Sequence, residues 1–393
     1  MDLQADTTYV LVHGEHQSNP PDACSYTEPV LRGSTYRIQV YSTQLRGGFQ
    51  GTIAKILGLY FAFVFLLTVP KLQDHAIYLH KATLTWFQDV NVLELWGFLR
   101  NQVTPFQLRT PDGETLHAWH ILPLDTYRKY ESKLREEPTG LAEHIEERLS
   151  LKLLKDDENA RLAICFHGAA GTLGSGWRPQ SYRALSAIVP NLHILAIDYR
   201  GFGSSTGWPS ESGMLVDALT LVNFATNTAG VPPERIALFA QSLGTAVALS
   251  LSHKLALEDP PTLFAGMVLV APMADVETAT QTYKIAGVIP LLSPLALFPP
   301  LLKFYNKLIV SKRPSKATIA AFVRHLEAME QIESRRQYDI TLIHAEDNWD
   351  MPWEHSNILF NHAVRAVVSN STITEDEFHS EKERRKVSLG NGG

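Results

Sequence analysis

The stretch Arg235–Leu257, RIALFAQSLGTAVALSLSHKLAL, decides how the 393-residue chain is read. Arg235–Ala240 is a short run of strand length, rich in Ile, Leu and Phe. Leu243–Leu257 has helix length and no proline. Between them stands Ala240-Gln241-Ser242-Leu243-Gly244, with a small residue two places before Ser242 and another two places after. A tight strand-to-helix turn of this kind lifts a serine oxygen above a sheet. The small residues let strand and helix approach, and the helix N-terminus puts partial positive charge beside that oxygen. The usual pattern is Gly-x-Ser-x-Gly; Ala240 replaces the first glycine, a departure of one methyl group.

Outward from this turn, strands and helices alternate. Leu162–Phe166, Leu192–Ile197, Leu263–Val270 and Ile340–His344 read as strands. Gln180–Ile188, Gly213–Thr226 and Asn357–Val367 read as helices. Short apolar strands separated by helices predict an α/β fold, a mainly parallel sheet with helices on both faces. One break interrupts the alternation, at about 272–338. It holds IAGVIPLLSPLALFPPLLKFYNKLIV over Ile285–Val310, where Pro290, Pro294, Pro299 and Pro300 argue against one continuous helix. This segment is expected to be an apolar lid over the sheet. Upstream, Val103–Thr110 and Glu114–Leu122 flank Pro111-Asp112-Gly113 as a hairpin, and the charged stretch Glu131–Asp157 reads as a solvated helix or insertion.

The first fifty residues show no sustained period and are expected to be a flexible tail, 1–50. Ile56–Val69 is uncharged and apolar all round, and Pro70 follows it. Lys55 and Lys71 bracket the run and can snorkel to headgroups, so residues 51–72 are expected to form one membrane span. Residues 73–102, with Trp86 and Trp96, follow as a juxtamembrane segment, and the main domain is expected over 103–393. Arg37, Arg46 and Lys55 precede the span, against Lys71 and Lys81 after it. That bias favours a cytoplasmic N-terminus and a lumenal main domain, as in a single-pass protein of the endoplasmic reticulum. The sequon Asn370-Ser371-Thr372 could be used only on the lumenal side.

Composition narrows the classes. Forty-five percent hydrophobic and 19% charged residues make a globular chain. The net charge of −6 argues against a nucleic-acid partner. Two cysteines, Cys24 and Cys165, exclude a disulfide scaffold and a cysteine-only zinc site. There is no Gly-x-Gly-x-x-Gly, Walker A or His-Glu-x-x-His pattern, so no cofactor and no metal are expected.

Further motifs support the turn at Ser242. His167-Gly168-Ala169-Ala170-Gly171 directly follows the strand ending at Phe166, and Asp198-Tyr199-Arg200-Gly201-Phe202-Gly203 follows another, as a polar turn read as loop packing. With the hairpin Thr110–His120 and the loop His344–Pro352, these pieces in this order resemble the α/β-hydrolase superfamily. They are most similar to membrane-anchored lipases that cleave monoacylglycerols and lysophospholipids, and to their fungal relatives. The resemblance covers about residues 50–390.

The resemblance implies a serine hydrolase acting on lipid esters or thioesters through an acyl-enzyme. Ser242 is then the nucleophile, with the backbone N–H groups of Ala169 and Leu243 as the oxyanion hole. His167 is structural, since it precedes the serine in chain order. The acid belongs in the loop after Ile340–His344. The position four before Pro352 is Asn348; its neighbour Asp347 is the favoured acid, followed by Asp350, with Asn348 itself the third choice. The base belongs after a final strand. His355 and His362 read as packing or surface residues, while His379 has suitable spacing but sits in the charged run Glu375–Arg385. The expectation is that the last strand, the last helix and the catalytic histidine are absent from this sequence, with His379 the tentative base if one is present. The alternative function is a catalytically impaired hydrolase-like protein or a truncated chain.

Overall fold

The computed structural model describes residues 45–85, 87–282, 284–285, 289–290, 292–330 and 338–368. The chain divides into two compact units, residues 1–63 and 64–393.

In the first unit the described residues belong to a helix, α1 (Leu45–Leu66), which continues a few residues past the boundary. Ile56, Leu57, Leu59 and Phe61 are exposed on it. The helix stops before Pro70, which opens α2 (Pro70–Tyr78). A proline lacks the N–H that a continuing helix needs, and the first position of a new helix is where that loss costs least. The expected span 51–72 is therefore spread over two helices. Among the described residues no single helix is long and apolar enough to cross a membrane, while the bent pair Ala54–Leu66 and Pro70–Tyr78 passes by length and composition.

The second unit is built on a seven-stranded sheet. Its strands are β1 (Val103–Arg109), β2 (Thr115–Ile121), β3 (Arg161–Phe166), β4 (Leu192–Ile197), β5 (Ile236–Gln241), β6 (Gly266–Val270) and, after a two-residue ladder of β7 (Lys284–Ile285) with β8 (Ile289–Pro290), β9 (Asp339–Ile343). The order is β1-β2-β4-β3-β5-β6-β9. The first two pairings are antiparallel and the other four parallel. This is an α/β fold with a mixed, mostly parallel sheet, as the alternation predicts.

The period-two alternation of side chains divides the core in two. Leu162, Ile164 and Phe166 of β3 join one apolar cluster, and Ala163 and Cys165 join another on the opposite face. The first cluster takes residues from α6 (Glu211–Asn223), α7 (Leu243–Ala256) and α10 (Ser315–Glu330). The second takes Tyr182 and Leu185 from α5 (Arg178–Ile188). The charged stretch 131–157 is two helices, α3 (Leu124–Glu136) and α4 (Leu149–Lys155). Pro138 and Gly140, at φ +88°, fall in the break between them. Segment 272–338 contains α8 (Val276–Thr282), α9 (Pro299–Leu308) and α10, and α11 (Glu354–Val368) follows β9.

One approach positions the site. A Cβ built on Gly244 would stand 2.2 Å from the Phe166 carbonyl oxygen, so the first turn of α7 rests directly on the end of β3. The obstacle is backbone and cannot swing aside. Gly244→Ala is therefore expected to lower stability by about 1–3 kcal/mol, the range for overpacking a tight contact. A thermal melt unchanged from the parent would contradict this packing.

Candidate active site

Ser242 occupies the turn between β5 and α7 at φ 48° and ψ −117°. This is left-handed backbone, which a non-glycine residue adopts only when its surroundings enforce it. Its N–H donates to the Val270 carbonyl at 2.9 Å, and its own carbonyl accepts from the Thr245 N–H at 2.9 Å and the Thr245 hydroxyl at 2.6 Å. The side chain is partly exposed, and its Oγ has no hydrogen-bond partner among the described residues.

Loop 167–171 passes beside it. A Cβ on Gly168 would lie 3.2 Å from the Ser242 Cβ, so a glycine there leaves the serine room. The loop's peptide groups are held individually. The Arg178 guanidinium, at the start of α5, donates to the carbonyls of Gly168 (3.1 Å), Ala169 (3.2 Å), Ala170 (2.7 Å) and Thr172 (2.6 Å). His167 Nδ1–H donates to the Gly168 carbonyl at 2.7 Å. Burial lowers the His167 pKa, outweighing Asp198, whose carboxylate lies 3.5 Å from Nε2. The imidazole is thus neutral and spends its proton on its own loop, the structural use the sequence suggests.

The N–H groups are divided as strictly. Ala170 N–H donates to the Tyr78 carbonyl at 2.9 Å and Gly171 N–H to the Ala82 carbonyl at 2.6 Å. The N–H of Ala169 has no acceptor among the described residues, nor has that of Leu243, the first residue of α7, where helix geometry leaves a donor open. In a trans peptide the C=O and the next N–H point in opposite directions. With the Gly168 carbonyl held by Arg178 and His167, the Ala169 N–H is turned away from both.

Ser242, Ala169 and Leu243 line one mainly apolar cavity of about 110 Å³. Met273, Val276 and Ala279 form part of its wall, with Leu292, Tyr305 and Ile309 of the 272–338 segment and Met351 of the loop after β9. Gln73, Ala76 and Ile77 of α2 line it as well. Sequence reading missed this last contribution, although residues 73, 76 and 77 have the spacing of one helix face.

The other expected site residues are not gathered here. Asp347 and Asp350 are exposed, and neither lines the cavity. Asn348 turns inward on its own loop, its Oδ1 accepting from the Met351 N–H at 3.0 Å. His344 donates through Nε2 to the Met351 carbonyl at 2.8 Å and accepts the Ser356 hydroxyl at Nδ1 at 2.7 Å. His355 is buried, and burial lowers its pKa to about 4. Its Nδ1 accepts the Ala274 N–H at 3.1 Å and its Nε2 faces the Thr282 hydroxyl at 2.8 Å, so it ties α11 to the cavity wall. His379 lies outside the described residues, as does the sequon. Arg200 links the β1–β2 turn to α6, pairing with Asp112 at 2.7 Å and Asp217 at 2.8 Å; the turn 198–203 does pack loops together. Among the described residues no cluster of histidine, cysteine and carboxylate side chains could hold a metal.

A serine at a left-handed strand-to-helix turn, on a mostly parallel sheet and beside a loop with an open N–H, is the arrangement of an α/β-hydrolase. The sequence profile of the family described as Hydrolase_4, serine aminopeptidase S33, matches residues 160–380, and the chain belongs to this family. Its mostly parallel sheet and the turn at Ser242 are those of the α/β-hydrolase class. It is 30% identical over 230 residues to a lysophosphatidylserine lipase, ABHD12, of Xenopus tropicalis, a match covering 58% of this chain and 54% of that protein. The chain thus spans about half the length of that relative. The Danio rerio protein of the same name is 26% identical over 331 residues, covering 83% of this chain and 76% of its own. An α/β-hydrolase structure from Vibrio vulnificus aligns over 76% of this chain and 92% of its own, at 17% identity and a TM-score of 0.44.

The carbonyl clamp makes a testable demand. Arg178→Ala is expected to lower kcat about 100-fold, on the scale of one lost oxyanion donor, with KM changed much less. The comparison is made on protein that still melts cooperatively. An unchanged kcat would show that the loop holds its shape without the guanidinium.

Proposed function

We propose that the chain is a membrane-anchored serine hydrolase that cleaves a lipid ester or thioester of the monoacylglycerol or lysophospholipid kind through an acyl-enzyme. One observation carries the reading: the Ser242 side chain and the Ala169 and Leu243 residues with their open N–H groups share one apolar cavity. Ser242 Oγ attacks the acyl carbonyl, and its proton passes to an imidazole, for which His379 is the candidate, oriented by Asp347. The two N–H groups donate to the developing oxyanion. The protonated alcohol or thiol leaves, and water releases the acid. The cavity wall, mainly hydrocarbon, suits an acyl chain better than a polar ester. The name of the vertebrate relatives, lysophosphatidylserine lipase, supports a lysophospholipid as the substrate class.

The anchor in this reading is segment 51–72, the juxtamembrane part 73–102, and the hydrolase domain 103–393 with its lid at about 272–338. An exposed helix with Ile56, Leu57, Leu59 and Phe61 on it has no use in water and suits hydrocarbon. The lysine and arginine bias across it supports a lumenal domain, in the endoplasmic reticulum.

A second reading, an impaired hydrolase-like protein, is favoured by one observation: among the described residues no histidine lines the cavity. Two substitutions separate the readings. Ser242→Ala should reduce turnover of a lysophospholipid by about three to six orders of magnitude while leaving the melting temperature unchanged. His379→Ala should do the same if His379 is the base. A parent chain without turnover favours the impaired reading; unchanged turnover in Ser242→Ala removes the nucleophile assignment.

A further inference from the structure

Helix α9 has two apolar faces. At 100° per residue, Leu302, Tyr305 and Ile309 fall together, and these three are buried, with Tyr305 and Ile309 lining the Ser242 cavity. Leu301, Phe304 and Leu308 fall roughly 100° away around the helix. They are exposed, Phe304 by 60%, and Leu297 and Phe298 just before the helix are exposed too. Lys303 and Lys307 form the third stripe, beside the exposed apolar one, and are also exposed. A helix with one face buried in its own protein needs no second apolar face for folding.

The stripe adjoins the start of α2. Gln73, buried, donates through Nε2 to the Leu308 carbonyl at 2.9 Å and accepts the Val310 N–H at 3.0 Å. The Tyr305 hydroxyl reaches the Leu67 carbonyl at 3.4 Å. On that side Phe65, Leu66, Val69 and Leu72 are exposed, the end of the uncharged run Ile56–Val69. Charge is also one-sided here. Although the whole chain is net acidic, no aspartate or glutamate occurs between Glu277 and Glu327, where Lys284, Lys303, Lys307 and Lys312 are exposed.

We propose that this face, Leu301, Phe304 and Leu308 together with Val69 and Leu72, lies in the surface of a lipid bilayer that carries anionic phospholipid. The apolar stripe enters the acyl region, and Lys303, Lys307 and Lys71 reach the phosphates. Helix α9 then turns one apolar face to the bilayer and the neighbouring one to the Ser242 cavity. A lipid substrate need not cross water to reach the serine. The inference rests on the reading of the chain as a membrane-anchored lipid hydrolase, and it adds the place where the domain meets the membrane.

The test uses the full chain reconstituted in vesicles of phosphatidylcholine and phosphatidylserine with brominated acyl chains. In a Cys24→Ser background, Phe304→Cys carries an environment-sensitive nitrobenzoxadiazole label, Cys165 being buried. Glu258→Cys, just past the far end of α7 and about 20 Å from Ser242 by helix rise, is the control. Both proteins carry the same anchor, so only contact of the face itself separates them. The label at 304 is expected to shift to shorter wavelength and to be quenched by the brominated chains, and the label at 258 to do neither. Replacing phosphatidylserine by phosphatidylcholine should weaken the effect. Equal behaviour at both sites overturns the proposal. So does a label at 304 that is shielded from iodide yet not quenched by bromine, which would assign the face to a protein surface. Leu301→Ser with Phe304→Ser should lower turnover of a vesicle-borne long-chain ester about tenfold, with a soluble short-chain ester within about twofold. The quenching needs no turnover. A chain inactive on every ester but quenched at 304 would remove the hydrolase reading and leave the surface standing.

Discussion

The backbone of Ser242 is the constraint on which the site depends. A non-glycine residue at φ 48° costs of the order of 1–3 kcal/mol. Hydrogen bonds at both of its peptide groups hold it there, to Val270 on one side and Thr245 on the other. The neighbouring residue types follow. Gly244 must lack a side chain because α7 presses on the Phe166 carbonyl, and Gly168 stands in van der Waals reach of the serine Cβ. Ala240 is completely buried, at the point where β5 turns. The strained turn, the bare first helical turn and the close loop are three views of one packing problem.

The second layer of control lies in how loop 167–171 spends its polar groups. Successive carbonyls go to Arg178, and the N–H groups of Ala170 and Gly171 go to carbonyls at the end of α2 and just after it. Among the described residues the Ala169 N–H has no acceptor, and Ala169 shares a cavity with Ser242. The acceptors at Tyr78 and Ala82, and the cavity residues Gln73, Ala76 and Ile77, come from the stretch read in sequence as a juxtamembrane connector. That connector is part of the site. Whatever fixes α2 in place also fixes the loop that leaves the Ala169 N–H free.

The sheet and the turn at Ser242 were legible because buried parallel strands need near-continuous apolar runs and the turn needs small residues at set positions. Leu162–Phe166 and Leu192–Ile197 match β3 and β4 to within a residue. Stretch 131–157 was less legible: its charge pattern suits a helix throughout, and the break near Pro138 and Gly140 divides it. Arg178 was not legible at all. A guanidinium that binds backbone carbonyls leaves no pattern in residue types. The loop after β9 shows the same limit. Counting back from Pro352 selects Asn348, and chemistry selects Asp347, but hydrogen bonds decide direction: Asn348 caps Met351 and Asp347 points to solvent. The base could be judged by spacing alone, since His379 falls outside the described residues.

The central claim is that Ser242 is a reactive nucleophile and the rest of the arrangement serves it. A fluorophosphonate captures an activated serine covalently and needs no knowledge of the substrate. The most direct measurement is the mass of the peptide containing Ser242 after the full chain, in detergent, is treated with such a reagent. The account predicts one adduct per chain, carried on Ser242 and lost when the protein is denatured before labelling. A folded chain that takes up no reagent, or takes it up on another residue, would contradict it.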